Sequence, residues 1–284
     1  MIIDKLFERV RGKSPICLGL DPSEDVYPPG FARKFTHPAE AALRFCQEIA
    51  AATADLVACF KVQIAHFEAL GVAGLGAYRD LLQELRREGH IVIGDVKRGD
   101  ISSTAAFYAR AHLAGEFAAD FLTLNAYFGS DALAPFFPYL ETGEHGLFVL
   151  VRTSNPSAAE FQDLLVEGRP LHEHVAEKVA TWGKRFQGRC GYSLLGAVVG
   201  ANKAVLARLR SRFPSMFFLV PGYGAQGGRA EDVAPAFQGG NGAVVVAARS
   251  ILAAHRGKPA AAARFPLYAR EAAQAMAEDL ASCP

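Results

Sequence analysis

Lysine and aspartate residues are interleaved at one point of the sequence, where the flanking residues are apolar. Asp95, Lys97 and Asp100 directly follow one apolar run, and Lys61 lies inside the apolar run before it. A lysine within a buried strand loses hydration and is driven towards its neutral form unless carboxylates lie beside it. We therefore expect an alternating ionic array, with Asp95 and Lys97 on the same side of a strand. Such arrays are typical of catalytic sites, but a salt-bridge network that only closes one end of the fold is the alternative.

A second segment with chemical potential is rich in glycine. Residues 220–228 read Val-Pro-Gly-Tyr-Gly-Ala-Gln-Gly-Gly, and Ala248 and Arg249 follow the next apolar run. Glycine lets backbone N–H groups approach an anion and arginine adds a bidentate contact, so the pattern predicts a phosphate site. The glycines also match G-x-G-x-x-G, but a dinucleotide site needs an acid near the end of the next strand, where this chain has Arg249. An ordinary flexible loop is the alternative.

Eight short apolar runs are the elements that must position these residues. They recur about every 32 residues, the size of one βα unit. They are almost continuously apolar, as in parallel strands that helices cover on both faces. The predicted strands are Ile16–Leu20, Val57–Ile64, Ile91–Val96, Phe121–Asn125, Leu147–Arg152, Leu195–Gly200, Phe217–Val220 and Gly242–Ala247. Eight units favour an α/β fold with a single (β/α)8 TIM barrel over residues 1–284, rather than a doubly wound open sheet.

The segments between the strands supply helices and two long loops. The predicted helices are Ala39–Ala54, Tyr78–Glu88 and Thr104–Ala114. The two longest connections are Asp21–Thr36, which is rich in proline, and Asn155–Gly191, in which we expect one or two helices. In a TIM barrel the loops that follow the strands build the active site, so we expect both connections to border it.

The composition excludes several classes of protein. Of 284 residues, 51% are hydrophobic, and 30 lysines and arginines nearly balance 29 aspartates and glutamates. This composition is not that of a disordered chain, and it lacks the charge excess that would point to nucleic acid or anionic lipid. No apolar run approaches the roughly 20 residues that a bilayer crossing needs, and the charged N-terminal segment does not resemble a signal peptide.

The cysteines and histidines predict neither disulfides nor a metal site. The five cysteines form no C-x-x-C pair, so we expect reduced thiols, mostly in the core, in a cytoplasmic protein. The closest histidines, His172 and His174, would point to different faces of a helix, and we expect both at the surface.

Taken together, these residues resemble the orotidine 5′-phosphate decarboxylase family. The resemblance rests on Asp95-x-Lys97-x-x-Asp100-Ile101-x-x-Thr104, on Lys61, on Asp21 after the first strand, and on the segment from Pro221-Gly222 to Arg249. It runs from about Ile16 to Ile251, and the chain length, the proline-rich loop and Arg98-Gly99-Asp100 resemble the longer bacterial branch, type 2. The resemblance implies conversion of orotidine 5′-monophosphate to UMP and CO2, the last step of UMP synthesis, without metal or organic cofactor.

The resemblance also implies a role for each site residue. Lys97 would donate a proton to C6 of the pyrimidine, and Asp95 would face the carboxylate that leaves. Lys61 would bridge Asp95 and the ribose hydroxyls, and Asp21 would bind the ribose. The other implied ligands are Ser154 for the pyrimidine amide edge, and Gln226, Arg249 and the backbone N–H of Ala248 for the phosphate.

A homodimer is implied as well, because Asp100 and Thr104 would reach into the neighbouring subunit's site. The chain departs from the commoner short branch at two positions. Asn125 stands where a histidine is common, so we assign it no role, and Ala248 stands where a glycine commonly precedes the arginine.

Two other functions stay open at this point. Sugar-phosphate decarboxylases and hexulose-phosphate synthases of the same superfamily share D-x-K-x-x-D but use Mg2+, and they usually carry a glutamate in place of Lys61. A nucleotide-binding barrel that senses UMP without turnover would need the phosphate loop but not the ionic array.

Overall fold

Eight short strands lie side by side in chain order and close into a barrel, because the last strand pairs with the first. The computed structural model describes residues 1–224 and 229–281. All eight pairings are parallel. The strands are β1 Ile16–Leu20, β2 Cys59–Gln63, β3 Val92–Arg98, β4 Phe121–Leu124, β5 Gly146–Arg152, β6 Leu195–Val199, β7 Phe218–Pro221 and β8 Ala243–Ala247. The predicted (β/α)8 barrel is therefore confirmed, and the eight predicted strands are found within two residues of their expected ends.

Helices follow the strands and cover the outside of the barrel. They are α1 Ile2–Gly12, α2 Pro38–Thr53, α3 Ile64–Glu68, α4 Gly71–Arg87, α5 Ser102–Leu113, α6 Ser130–Leu133, α7 Phe137–Leu140, α8 Leu171–Gly183, α9 Lys203–Arg212, α10 Ala230–Val233, α11 Arg249–Leu252 and α12 Ala261–Ala281. Every residue of β1, β6 and β8 is buried, as expected of parallel strands packed on both faces. Within the described ranges no helix is both long and apolar enough to cross a membrane.

The helix predicted over Tyr78–Glu88 begins seven residues earlier than expected, at Gly71. Glycines near its start hid this end in the sequence, since glycine is a poor helix former. Gly74 is required by close packing, because a Cβ atom there would lie 2.0 Å from the carbonyl oxygen of Phe67 in α3. Gly74 therefore allows α3 and α4, which are joined by a short link, to pack closely together.

The long connection after β1 is packed rather than loose. It contains two 3-10 turns, Glu24–Val26 and Ala32–Lys34. Phe31 lies at its centre, with its ring centroid 5.8 Å from that of Phe45 in α2 and 5.3 Å from that of Phe265 in α12. This aromatic cluster holds the connection against the outer helices.

The enlarged fifth connection has one α-helix and an element that the sequence did not predict. A 3-10 turn, Pro156–Glu160, is followed by a small antiparallel hairpin of Leu165–Val166 and Arg169–Pro170, and then by α8.

The expected surface position of His172 is wrong, because α8 packs this side chain inwards. The His172 ring is buried, with Nδ1 2.9 Å from the carbonyl oxygen of Gln162 and 3.2 Å from Oδ1 of Asp163. His174 is half-buried and its Nε2 lies 2.8 Å from the carbonyl oxygen of Val166. Among residues 1–224 and 229–281, no three His, Cys, Asp or Glu side chains converge in a way that could hold a metal ion.

Candidate active site

A cavity of about 370 Å3 lies at the carboxyl ends of the barrel strands. Residues from six of the eight strand ends border it. Six of the ten residues predicted from the sequence line this one cavity: Asp21, Lys61, Asp95, Ser154, Ala248 and Arg249. Because the carboxyl ends of parallel strands meet at one face of a barrel, residues far apart in the chain come together here.

Asp95 is the centre of the charged part of the cavity. Its Oδ2 accepts hydrogen bonds from Lys61 Nζ at 2.8 Å and from Gln63 Nε2 at 3.0 Å. Its Oδ1 accepts from Lys97 Nζ at 2.6 Å and from Thr123 Oγ1 at 2.8 Å. Both carboxylate oxygens are therefore held between an ammonium group and a neutral donor.

The electrostatics of the cluster keep these groups charged. Burial alone would raise the pKa of Asp95, but the ammonium groups of Lys61 and Lys97 outweigh it and hold this pKa well below its usual range. Burial alone would lower the pKa of Lys61, but the charges of Asp21 and Asp95 raise it above its usual range. Asp21 Oδ1 lies 3.4 Å from Lys61 Nζ. The expected compensation of a buried lysine by carboxylates is thus present.

The two lysines differ in position and exposure: Lys61 lines the cavity, whereas Lys97 contacts the lining residue Asp95 from beside it. The side chain of Lys61 is only 8% exposed, whereas that of Lys97 is 45% exposed. Lys97 therefore carries the more exposed of the two ammonium groups. Lys97 also has a φ of +44°, in the left-handed region, and the pairing register between β3 and β4 shifts between Gly94 and Arg98. The expected simple alternation along β3 does not hold at this point, although Lys97 still meets Asp95.

Asp100 does not join the ionic array within this subunit. Its Oδ1 accepts a hydrogen bond from the backbone N–H of Ile101 at 2.8 Å, and Thr104 is exposed on α5. Within one subunit the array therefore contains Lys61, Asp95 and Lys97 together with Asp21. The tetrad with Asp100 stays a prediction for the dimer. Neither Asp100 nor Thr104 is among the residues that line the cavity of their own subunit.

The opposite end of the cavity contains the residues expected to bind phosphate. Ala248 directly precedes α11, and the Arg249 guanidinium lies 3.3 Å from the Asp25 carboxylate, measured from Nη2 to Oδ2. Gly222 has a φ of +110° and Gly224 a φ of +74°, which explains why glycine is needed after β7. Gln226 lies outside the described residues. Arg249 thus contacts a carboxylate of its own chain, Asp25, at the position where a phosphate is expected.

Ser154 lies on the fifth strand's side of the cavity, after β5. The chain there is closely packed, since a Cβ atom at Gly200 would lie 2.8 Å from Cβ of Ser154. Asn125, to which the sequence assigned no role, accepts a hydrogen bond from the backbone N–H of Tyr127 at 3.0 Å through Oδ1.

Sequence reasoning missed three residues of the site. Gln63 follows Lys61 by two positions in β2, so the period of a strand could have found it. Thr123 is a single hydroxyl residue in the apolar run of β4, which offers no such signal. His66 lines the cavity, and its Nδ1 lies 3.0 Å from the carbonyl oxygen of Pro22.

Comparison with known proteins identifies the family. The sequence model described as the orotidine 5′-phosphate decarboxylase / HUMPS family matches residues 14–265. The chain belongs to this family. It is 47% identical to an orotidine 5′-phosphate decarboxylase of Clostridium perfringens over 258 residues, which cover 90% of each chain. It is 45% identical to that of Petrotoga mobilis over 285 residues, which cover 99% of each chain. The resemblance expected from the motifs is confirmed, and both relatives are bacterial.

Solved structures of the family have the same fold. The structure of the Leishmania donovani OMP decarboxylase has a TM-score of 0.79 and 30% sequence identity, with 99% of this chain and 97% of that chain covered. An orotidine 5′-phosphate decarboxylase structure from Streptomyces avermitilis, described as putative, has a TM-score of 0.81 and 29% identity, with 99% and 94% covered. The family match and the structural match therefore overlap over most of the chain.

Proposed function

We propose that this protein is an orotidine 5′-phosphate decarboxylase, a carboxy-lyase that converts orotidine 5′-monophosphate to UMP and CO2 in pyrimidine biosynthesis. The observation that carries the proposal is the buried Asp95 between the Lys61 and Lys97 ammonium groups in the barrel cavity. Relatives at 45–47% identity with this name, aligned over at least 90% of the chain, support the same activity.

The proposed substrate orientation follows the length of the cavity. The phosphate binds near Arg249 and the backbone N–H of Ala248, together with Gln226. The ribose lies against Asp21 and Lys61, and the pyrimidine amide edge meets Ser154. Support comes from the cavity lining, because five of these six residues border one continuous space and the sixth lies outside the described residues.

The proposed reaction places Lys97 at C6 of the pyrimidine. The bond between C6 and the carboxylate carbon breaks, the electron pair stays on C6, and CO2 leaves. Lys97 Nζ then gives one proton to C6, which yields UMP and a neutral amine that solvent reprotonates. A fixed ammonium group stabilises negative charge where it develops, and a water-poor cavity strengthens this effect. Asp95 holds Lys97 through the contact between Nζ and Oδ1 at 2.6 Å.

The phosphate-binding end of the cavity contributes to the reaction rate although it lies away from C6 of the pyrimidine. Binding energy from a remote phosphate raises the rate when it stabilises closure of the site around the reacting atoms. With the substrate carboxylate facing Asp95, repulsion between the two carboxylates also favours the loss of CO2.

The Mg2+-dependent members of the superfamily are the main alternative. The family description includes this group, and the named relatives and the residue at position 61 support the decarboxylase. At that position an ammonium group touches Asp95, where those enzymes usually carry a glutamate for the metal. We therefore propose that the reaction needs neither metal nor organic cofactor.

The activity is tested by the loss of orotidine 5′-monophosphate absorbance in buffer that contains EDTA. We expect full activity of the wild-type protein with the chelator. We expect Lys97→Ala to lose turnover by more than 1000-fold, roughly the value of a positioned proton donor combined with fixed charge, while UMP still binds. The matched control is Lys203→Ala, which removes an exposed lysine of α9. Activity that disappears on chelation, or near-normal turnover of Lys97→Ala, would reject the mechanism.

We further propose a homodimer in which Asp100 and Thr104 complete the partner's site. Support comes from their position outside their own cavity and from nearby exposed apolar side chains, since Ile101 is 52% and Phe107 62% exposed. Mixed dimers of Asp100→Ala and Lys97→Ala subunits test the shared site. One of the two sites in a mixed dimer has both residues intact, so we expect activity well above that of either parent. Mixtures that recover no activity would contradict the cross-subunit role.

The protein's location is proposed as cytoplasmic, on two grounds. Cys17, Cys46, Cys59 and Cys190 are free thiols, as in proteins of a reducing compartment. The proposed reaction also belongs to nucleotide metabolism.

A further inference from the structure

One hydroxyl group connects the backbone of Lys97 to the carboxylate of Asp95. Thr123 lies in β4, beside β3, and is 1% exposed. Its Oγ1 accepts a hydrogen bond from the backbone N–H of Lys97 at 3.0 Å and donates one to Asp95 Oδ1 at 2.8 Å. The roles are fixed, because a backbone N–H can only donate and an ionised carboxylate can only accept.

The backbone of Lys97 needs such a restraint. Its φ of +44° lies in the left-handed region, which costs a residue with a side chain about 1–3 kcal/mol. The ladder between β3 and β4 is interrupted between Gly94 and Arg98, so regular strand pairing does not restrain this residue. The Thr123 hydroxyl binds the Lys97 N–H within that interruption.

The conformation of Lys97 decides where its ammonium group lies. The direction of the Cα–Cβ bond follows φ, and the side chain is 45% exposed, so few neighbours restrain it. Its Nζ meets Asp95 Oδ1, the same oxygen that accepts the Thr123 hydroxyl. Thr123 therefore acts on both ends of the lysine, at the backbone directly and at Nζ through the carboxylate.

We propose that Thr123 is a positioning residue that holds Lys97 in place for proton transfer, an inference that rests on the proposed decarboxylase activity. A displacement of about 1 Å at a reacting group can cost on the order of 100-fold in rate. Loss of the hydroxyl allows Lys97 to relax towards the extended region and withdraws one of four donors from Asp95. The ribose and phosphate contacts are separate from Thr123, so ground-state binding is retained.

The experiment compares Thr123→Val with Thr123→Ser. Valine keeps the shape of threonine but lacks the hydroxyl, and serine keeps the hydroxyl but lacks the methyl group. We expect kcat of Thr123→Val to fall by about 10- to 100-fold with KM and UMP affinity within about twofold. We expect Thr123→Ser to retain kcat within about threefold of wild type. The matched control is Thr53→Val, which removes a buried hydroxyl that donates to the carbonyl oxygen of Ile49 in α2.

Several outcomes overturn the positioning role. They are a kcat of Thr123→Val equal to wild type, an equal loss in Thr123→Ser, a loss of the same size in Thr53→Val, and a Thr123→Val protein that does not fold. A rise in KM without a change in kcat also overturns it. Absence of turnover in the wild-type protein instead rejects the proposed function. If the wild-type protein has no turnover, the crystal structure of Thr123→Val still tests the inference. A Lys97 that keeps its positive φ and its contact with Asp95 in this variant contradicts it.

Discussion

The charge balance of the site is concentrated on a single carboxylate. Asp95 accepts four hydrogen bonds, and it lies between two ammonium groups in a buried position. Removal of one partner of a buried ion pair costs about 3–5 kcal/mol, because the other charge stays without compensation. Substitution of Lys61 therefore affects folding as well as chemistry, whereas Lys97 lies at the open side of the cluster and can be replaced with less damage to the fold.

Residue types and spacing predicted the charged members of this cluster but not its neutral donors. Lys61, Asp95 and Lys97 stand out because a charge inside an apolar strand is costly unless it is compensated. Thr123 does not stand out, since one hydroxyl in an apolar strand usually bonds to nearby backbone. Its role depends on the local interruption of β3, which no periodic pattern predicts. Spacing alone also suggested Asp100 for the cluster, although within the subunit its Oδ1 accepts a hydrogen bond from the backbone N–H of Ile101 instead.

At the scale of elements, the strands were easier to predict than the connections between them. A parallel strand buried on both faces gives a continuous apolar run, and its ends coincide with glycine, proline or charge. The hairpin in the fifth connection gave no such pattern, because Leu165 and Val166 are exposed although apolar. Its form depends on tertiary contacts, in particular on the buried His172 and its bond to the chain at Gln162.

The fifth connection is tied to the strand end that precedes Ser154. Gln162 Oε1 accepts a hydrogen bond from the backbone N–H of Thr153 at 2.7 Å, and Gln162 Nε2 donates to Thr153 Oγ1 at 2.9 Å. Arg152 Nη2 binds Asp163 Oδ2 at 2.9 Å next to this pair. The connection therefore holds the residue before Ser154 by both its backbone and its side chain.

We predict that Gln162→Leu weakens recognition of the pyrimidine. Leucine keeps the size of glutamine but removes both bonds to Thr153, so Ser154 loses its fixed position. We expect the affinity for UMP to fall by roughly 10-fold, or about 1.4 kcal/mol, while the affinity for ribose 5-phosphate stays the same. Isothermal titration calorimetry with both ligands measures this difference. The matched control is Gln83→Leu, on the outer helix α4, which should leave both affinities unchanged.

An equal loss of affinity for UMP and ribose 5-phosphate would contradict this assignment. It would show that Gln162 supports the cavity in general rather than the position of Ser154.

At the scale of the whole molecule, the barrel is closed and its two terminal helices are fastened to it. The Asn241 side chain donates to the carbonyl oxygen of Phe7 in α1 at 3.0 Å. The Arg270 guanidinium in α12 binds both oxygens of Asp55, at 2.6 and 2.7 Å. These contacts support our proposal that residues 1–284 form a single domain, as expected from the eight-unit count.

Buried histidines make the stability of this domain sensitive to acid. Burial lowers the pKa of the buried His112, His145 and His255, and partial burial lowers that of His90. The pKa of His112 falls to about 4, because burial and the nearby Arg98 charge disfavour its protonated form. His112 Nε2 accepts a hydrogen bond from Arg98 Nε at 3.4 Å, which requires the neutral ring. Below the ordinary histidine pKa of about 6.5 the unfolded chain binds more protons than the folded one, so the free energy of unfolding falls as the pH falls.

We predict that His112→Gln reduces this sensitivity. Glutamine can still accept from Arg98 but does not titrate. With a pKa of about 4 in the folded protein, His112 accounts for a loss of about 2 kcal/mol between pH 7 and pH 5. Urea unfolding at the two pH values should therefore show a drop that is smaller by about this amount in His112→Gln. The comparison at pH 7 mainly reports changes in packing, since most of His112 is neutral in both states there. An unchanged drop would contradict the contribution of His112 and would assign the acid sensitivity to the other histidines whose pKa is lowered in the folded protein.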